Sequence, residues 1–327
     1  MGILWIDTIK FPLFFISPSC VIFYRYARFL VGKSKNNRVT DKESKDFAYL
    51  CINLNDCYMS DVIIGRKAEQ EILRQRIESK SPELIAIYGR RRIGKTYLVR
   101  QYFNDTFSFY STGIYQGTKK EQLGEFTRQL EHYSGRKWKV AKDWFDAFAQ
   151  LREYLESIDG DSPIVVFLDE LPWMDTQKSR FIKAFEYFWN SWGATNKRLK
   201  LIVCGSATTW MRENVLLDKG GLYNRTTRSI YLAPFSLYET EQYLISRGIN
   251  WNRYQIAECY MILGGTPLYL QMLERDKSLT QNVDNLFFVQ NAPLSREYNF
   301  LFRSLFNEAT LHKQVIEALA SKASGLT

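Results

Sequence analysis

The octet Gly89-Arg90-Arg91-Arg92-Ile93-Gly94-Lys95-Thr96 has the spacing G-x-x-x-x-G-K-[ST] of a phosphate-binding loop. On average residue frequencies about one chain in a hundred of this length would carry the spacing by chance. Here it also has the required context: an apolar run, Leu84 to Tyr88, precedes it and a helical pattern follows. The glycines let backbone N–H groups close around phosphate oxygens, and the start of the next helix adds its positive dipole end. Lys95 supplies a point charge to the β and γ phosphates, Thr96 a hydroxyl for Mg²⁺, and Tyr97 stands next to them on the same turn. The chemistry this predicts is the binding of ATP.

Two further runs end in polar residues. Ile164 to Leu171 reads IVVFLDEL, an apolar strand that closes on two carboxylates about 75 residues after the loop. Ligands of open α/β sheets bind at the carboxyl edge of their strands, which is where Asp169 and Glu170 fall. Asp169 is expected in the outer shell of Mg²⁺, and Glu170 at the attacking water as orienter or base. Leu201 to Met211 reads LIVCGSATTWM and brings Ser206 to the same edge, able to bond the γ phosphate or the water. A second reading makes this a strand exit in which Ser206 or Thr208 caps the next helix.

The elements that would position these groups alternate short apolar runs with helical patterns, which predicts an α/β fold with a mostly parallel sheet. Strands are predicted at Leu84 to Tyr88, Phe107 to Tyr110, Ile164 to Leu168, Leu201 to Cys204 and Ile230 to Leu232. Helices are predicted at Thr96 to Phe103, Lys120 to Tyr133, Trp144 to Ser157 and Ser179 to Trp192. The last carries Phe181, Phe185, Phe188 and Trp192 at core spacing, read as packing rather than as a platform for bases. After Pro234 strand signals cease and helices dominate through residue 320. The organisation is therefore read as residues 1–58, a poorly patterned extension; 59–234, the P-loop domain; 235–308, a helical lid; and 309–327, the start of a winged helix.

Composition excludes several classes. Five cysteines with no C-x-x-C pair and two histidines argue against a disulfide framework or a zinc site and fit a reducing, cytoplasmic setting. Phe11 to Tyr24 is the most apolar run, but it is about 14 residues long where a spanning helix needs about 20, and Pro12 and Pro18 interrupt it. Residues 1–58 are read as a poorly ordered extension or as translated upstream sequence with Met59 the natural start; an interfacial anchor is the competing reading. A charge of +9 suits an acidic partner such as nucleic acid, and equally an ordinary lysine-rich surface.

Six blocks in order, VIIGRKAEQEIL, YGRRRIGKTYLVRQYF, IVVFLDELPWM, LIVCGSATTWM, LYNRTTRSIYLAPF and GGTPLYL, resemble the prokaryotic AAA-related ATPases of the archaeal-type group, within the STAND class of nucleotide switches. The resemblance covers roughly residues 59–327. It implies that Gly65 and Arg66 lie near the adenine, that Pro267 of the lid touches the base, and that Arg225 and Arg228 sense the γ phosphate, surface charge being the alternative for the two arginines. It also implies a winged helix-turn-helix, of which Leu311 to Ala320 resembles the first helix and whose reading helix would come next. Three functions follow: an ATPase whose turnover resets a conformational switch, a nucleotide sensor with negligible turnover, and an ATP-fuelled DNA-processing protein. A water-orienting Glu170 favours the first. A protein partner or self-association suits a switch, a membrane does not, and DNA binding without the reading helix is expected to be weak.

Overall fold

The computed structural model describes residues 63–216, 222, 224–297 and 310–320. The expectations for residues 1–58 and for the chain beyond Ala320 lie outside them. Helix α1 (Lys67–Ile77) leads into β1 (Glu83–Tyr88), α2 (Lys95–Tyr102), β2 (Phe109–Thr112), α3 (Lys119–Ser134) and α4 (Trp144–Glu156). Then come β3 (Ile164–Asp169), the short α5 (Leu171–Met174), α6 (Phe181–Ser191), β4 (Leu199–Gly205), the single turn α7 (Thr208–Met211) and β5 (Arg228–Tyr231). The five strands form one sheet in the order β2-β3-β4-β1-β5, and every pairing is parallel. This is the α/β P-loop architecture that the alternating pattern predicts.

Alternation along each strand divides the interior in two, because successive side chains leave opposite faces of a pleated sheet. Leu84 and Ala86 of β1, Val166 and Leu168 of β3, and Leu201 and Val203 of β4 enter a core shared with α3, α4 and α6. Ile85, Ile87, Phe167, Ile202 and Cys204 enter the other, with Leu73 of α1 and Leu98 and Val99 of α2. Both faces are covered by helices, so these strands read as continuous apolar runs. The aromatic stripe of α6 is packing: the Phe181 ring meets Trp144 edge-on at 4.8 Å and stacks on Phe185 at 6.1 Å.

Two strands sit differently from the sequence pattern. β2 starts at Phe109 rather than Phe107 and runs to Thr112, because it is an edge strand whose extent is set by pairing with Val166 to Asp169. Phe107 instead packs its ring on Tyr110 and Phe167. β5, the other edge, begins two residues early at Arg228, where its ladder with Ile85 starts.

From Leu237 the described chain is helical: α8 (Leu237–Ser246), α9 (Arg253–Leu263), α10 (Pro267–Gln271), α11 (Leu279–Phe287) and α12 (Thr310–Ala320). Residues from Phe235 to Leu294 build a separate apolar core around Leu244, Ile256, Leu263 and Leu270. α8, α9 and α11 each start with a capping box, from Ser236, Asn252 and Ser278, which fixes where each helix begins.

Candidate active site

The loop between β1 and α2 is bent by glycine. Gly89 has φ 150°, and a Cβ there would lie 2.3 Å from the carbonyl oxygen of Leu232; Gly94 has φ 85° and begins α2. Ile93 is buried and anchors the loop in the core beneath it. Lys95 is 5% exposed, and its Nζ donates to the carbonyl oxygens of Gly89, at 3.1 Å, and Arg90, at 2.8 Å. The ammonium therefore lies inside the loop's curve, where an anionic oxygen would be a stronger acceptor than either carbonyl. Tyr97 is half-exposed on the first turn of α2.

The two motifs meet directly. Thr96 Oγ1 donates to Asp169 Oδ2 at 2.8 Å, across 73 residues of sequence. Asp169 is 4% exposed, and its other oxygen accepts from the Glu170 backbone N–H at 2.9 Å. Glu170 is in the left-handed region, φ 44° and ψ 50°, which costs a non-glycine residue about 1–3 kcal/mol and recurs where geometry serves function. That turn swings its carboxylate to the end of β4, where Ser206 donates to Oε2 from both its backbone N–H, at 3.1 Å, and its hydroxyl, at 2.9 Å. Ser206 therefore bonds Glu170 rather than capping α7, which begins after Ala207. Among the described residues no group of three or more His, Cys, Asp or Glu gathers as a metal cage. One hydroxyl beside one carboxylate is the protein share that suits an ion which keeps waters and takes phosphate oxygens.

The three loop arginines face different partners. Arg91 lies over the rings of Tyr115 (5.3 Å) and Trp173 (5.4 Å), and its Nε donates to Ser206 Oγ at 3.4 Å. Arg92, at φ 70°, pairs with Glu297, whose carboxylate also accepts from the Tyr269 hydroxyl at 2.6 Å. Arg90 contributes its carbonyl to Lys95.

On the other shoulder, Arg66 is buried with its guanidinium 4.7 Å from the Phe235 ring centre. Its Nη2 donates to the Ile93 carbonyl at 3.5 Å, and its backbone N–H donates to Glu239 Oε1 at 2.9 Å. Burial lowers the Arg66 pKa, opposed by the charges of Glu239 and Glu69. A Cβ on Gly65 would lie 2.7 Å from that same Glu239 oxygen. Pro267 opens α10, whose Leu268 N–H reaches the Arg92 carbonyl at 3.4 Å. Gly65, Arg66, Arg92, Ile93 and Pro267 thus belong to one neighbourhood where the helical segment meets the loop.

Arg225 and Arg228 stand apart from it. Arg228 is paired with Ile85, three residues before Tyr88, so it lies about 10 Å behind the sheet's carboxyl edge at the usual strand rise. It lines a cleft of about 740 Å³ with Tyr88, Arg212, Asn224, Thr227 and Tyr231. Arg225 is exposed in the turn that its N–H closes onto the Leu222 carbonyl.

Sequence reasoning missed Tyr115, Trp173, Glu239, Tyr269 and Glu297 as neighbours of the loop. Trp173 sits three residues after Glu170, and Glu239 completes the Ser236 capping box, so both carried a local signal. The other three are joined to the loop only by the fold. Beside the site, burial and then the charge of Asp169 push the Cys204 thiol well above its ordinary range, so it is an inert neighbour. Among the described residues no helix is long and apolar enough to cross a membrane.

Residues 64–273 match the family described as ATPase domains predominantly from Archaea. A curated relative, the uncharacterized protein MJECL04 of Methanocaldococcus jannaschii, is 26% identical over 265 residues, 79% of this chain and 54% of its own length. The chain thus spans about half the length of that relative. Among solved structures, the Walker-type ATPase PABY2304 of Pyrococcus abyssi is 16% identical, with a TM-score of 0.49 over 80% of this chain and 77% of that one. The STAND protein PH0952 of Pyrococcus horikoshii, which carries a tetratricopeptide repeat sensor, is 19% identical, with a TM-score of 0.43 over 69% and 33%. With its family match spanning the Gly89–Thr96 loop, Asp169, Glu170 and helices α8 to α10, the chain belongs to the ATPase domain family found predominantly in Archaea.

Proposed function

We propose that the chain binds ATP with Mg²⁺ and hydrolyses it, and that the cycle moves the helical segment after Pro234 against the sheet as a conformational switch of the AAA and STAND kind. The observation that carries this reading is the Thr96–Asp169 bond with Glu170 and Ser206 beside it, since it gathers two motifs of phosphoryl transfer at one sheet edge. In this reading Lys95 holds the β and γ phosphates, while Thr96 and Asp169 hold Mg²⁺, which neutralises phosphate charge. Glu170 orients the attacking water and takes its proton. The water oxygen bonds to the γ phosphorus, the bond to the β–γ bridging oxygen breaks, and ADP leaves with that electron pair. Ser206, bonded to Glu170 twice, keeps the carboxylate aimed.

The switch component draws on the neighbourhood of Arg66, Arg92, Glu239 and Pro267, where the helical segment touches the loop that would hold phosphate. Gly65, Arg66 and Pro267 are assigned to the adenine end. Arg225 and Arg228, set back from the edge, are left out of the catalytic constellation within one chain.

The test compares phosphate release and ATP affinity for wild type and Glu170→Gln. The variant keeps size and hydrogen-bonding capacity but loses the base, so affinity should hold while turnover falls by roughly 10² to 10⁴. Turnover at the wild-type rate in Glu170→Gln would remove Glu170 from the mechanism. Binding without turnover in wild type would make the protein a nucleotide sensor.

A further inference from the structure

The three loop arginines are chemically alike and structurally unlike. Arg92 is committed to Glu297 and Tyr269 on the lid side. Arg91 is aimed the other way, at the end of β4, where Ser206 and Glu170 stand. Its guanidinium carbon lies 5.3 Å from the Tyr115 ring centre and 5.4 Å from that of Trp173, and the two rings pack on each other at 5.3 Å and 62°. A cation–π contact holds a guanidinium in place without using up its N–H donors, which stay available for an acceptor.

The acceptor it has is a neutral hydroxyl at 3.4 Å, at the long limit of a hydrogen bond. A phosphate oxygen would hold the same N–H edge much more strongly, because both groups are then charged. Ser206 would keep its own two bonds to Glu170 if Arg91 let go, so the move disturbs nothing else at the edge. Any γ phosphate held by this loop must also sit close to the Glu170 carboxylate. A cation between them offsets that repulsion and meets the charge that spreads over the γ oxygens during transfer.

We propose that Arg91, held against the Tyr115 and Trp173 rings and touching Ser206, is a catalytic γ-phosphate ligand supplied by the loop itself, which distinguishes ATP from ADP and stabilises the transferring phosphoryl group. This rests on the hydrolysis reading above and adds a residue to it. It also accounts for charge stabilisation within one chain without Arg225 or Arg228.

The test measures affinities for Mg-ATP and Mg-ADP, with single-turnover hydrolysis, in wild type, Arg91→Ala, Arg91→Lys and Tyr115→Leu. Arg91 and Tyr115 are exposed, so folding should survive each change, and thermal unfolding checks it. Arg91→Ala should keep ADP affinity within about 2-fold, lose roughly 10-fold or more in ATP affinity, and lose about 10² to 10³ in turnover, as when one preorganised donor to a transition state is removed. Arg91→Lys should restore part of the ATP preference but little turnover, since a point charge lacks the planar fork of donors. Tyr115→Leu should lose less, in the same direction.

Arg91→Ala with the wild-type ratio of ATP to ADP affinity and wild-type turnover overturns the assignment while leaving the ATPase reading intact. Equal loss for ATP and ADP also overturns it, by showing that Arg91 serves the loop's shape. A wild type that binds neither nucleotide overturns both readings together.

Discussion

Replacing Glu297 by glutamine tests whether the helical segment is latched to the phosphate loop. The carboxylate is about a tenth exposed and receives the Arg92 guanidinium on one oxygen and the Tyr269 hydroxyl on the other. A hydrogen bond to a charged group contributes about 1.5–3 kcal/mol net. Glutamine keeps one acceptor, so the Tyr269 bond survives in neutral form and the charge attraction to Arg92 is lost. Arg92 is about a third exposed, so solvent screens part of that attraction and the expected loss drops to about 1–2 kcal/mol. In a unit of this size that is a fall in Tm of roughly 2–8 °C. If the latch holds the segment over bound nucleotide, the same loss should raise the ATP dissociation rate by about 5- to 30-fold, at about 1.4 kcal/mol per decade. Stopped-flow displacement of a fluorescent ATP analogue, beside a thermal scan, measures both. An unchanged dissociation rate with a lowered Tm would refute the latch and leave only a stabilising ion pair; no change in either would refute the energetic argument itself.

Other outcomes follow from the same geometry. Lys95→Ala should weaken both ATP binding and turnover, read by titration and phosphate release, because Lys95 would touch phosphate before and during transfer. Gly265→Ala should destabilise the helical segment by more than about 1 kcal/mol in urea unfolding, since Gly265 has φ 63° and its Cβ would fall 2.2 Å from the Phe235 carbonyl oxygen. Burial raises the hydroxyls of Tyr110 and Tyr269 to about 12. In the unfolded chain they ionise near 10, so the folded state holds more protons between those values and stability should fall as pH rises from 10 to 12. Tyr269→Phe should shrink that fall in base titrations followed by circular dichroism. Any binding to duplex DNA should draw on the +9 charge and so weaken steeply as salt rises, which fluorescence anisotropy at several salt concentrations decides.

The parts of the candidate site legible in the sequence are those whose proposed roles follow from local spacing. Gly89 to Thr96, Asp169-Glu170 and Ser206 each follow an apolar strand, and a parallel sheet brings strand ends to one edge without further instruction. Side-chain direction was not legible. Nothing in Arg90-Arg91-Arg92 says that the second meets Tyr115 and Trp173 while the third meets Glu297, because those partners lie 24, 82 and 205 residues away. The edge strands were placed least well for a related reason: Phe107 and Leu232 are apolar enough to read as strand, but the ladder partner sets where β2 and β5 begin and end. Arg228 shows the same limit, since its distance from the phosphate loop is a matter of register.

The partition of the interior by the sheet has a consequence for how the protein can change. Phe185 and Leu98 lie in different cores with a layer of strand backbone between them. Substitutions at sites that share no partners and lie more than about 7–10 Å apart add within roughly 0.3–0.5 kcal/mol. The aromatic side should therefore tolerate a history of its own, trading ring for ring and shifting overall stability, while the side that carries Thr96 and Asp169 stays in place. Sequence drift in relatives would then be lopsided, fast among the rings of α4 and α6 and slow across α1 and α2, and a variant library confined to the aromatic side could tune thermal tolerance without retuning the chemistry at the sheet edge.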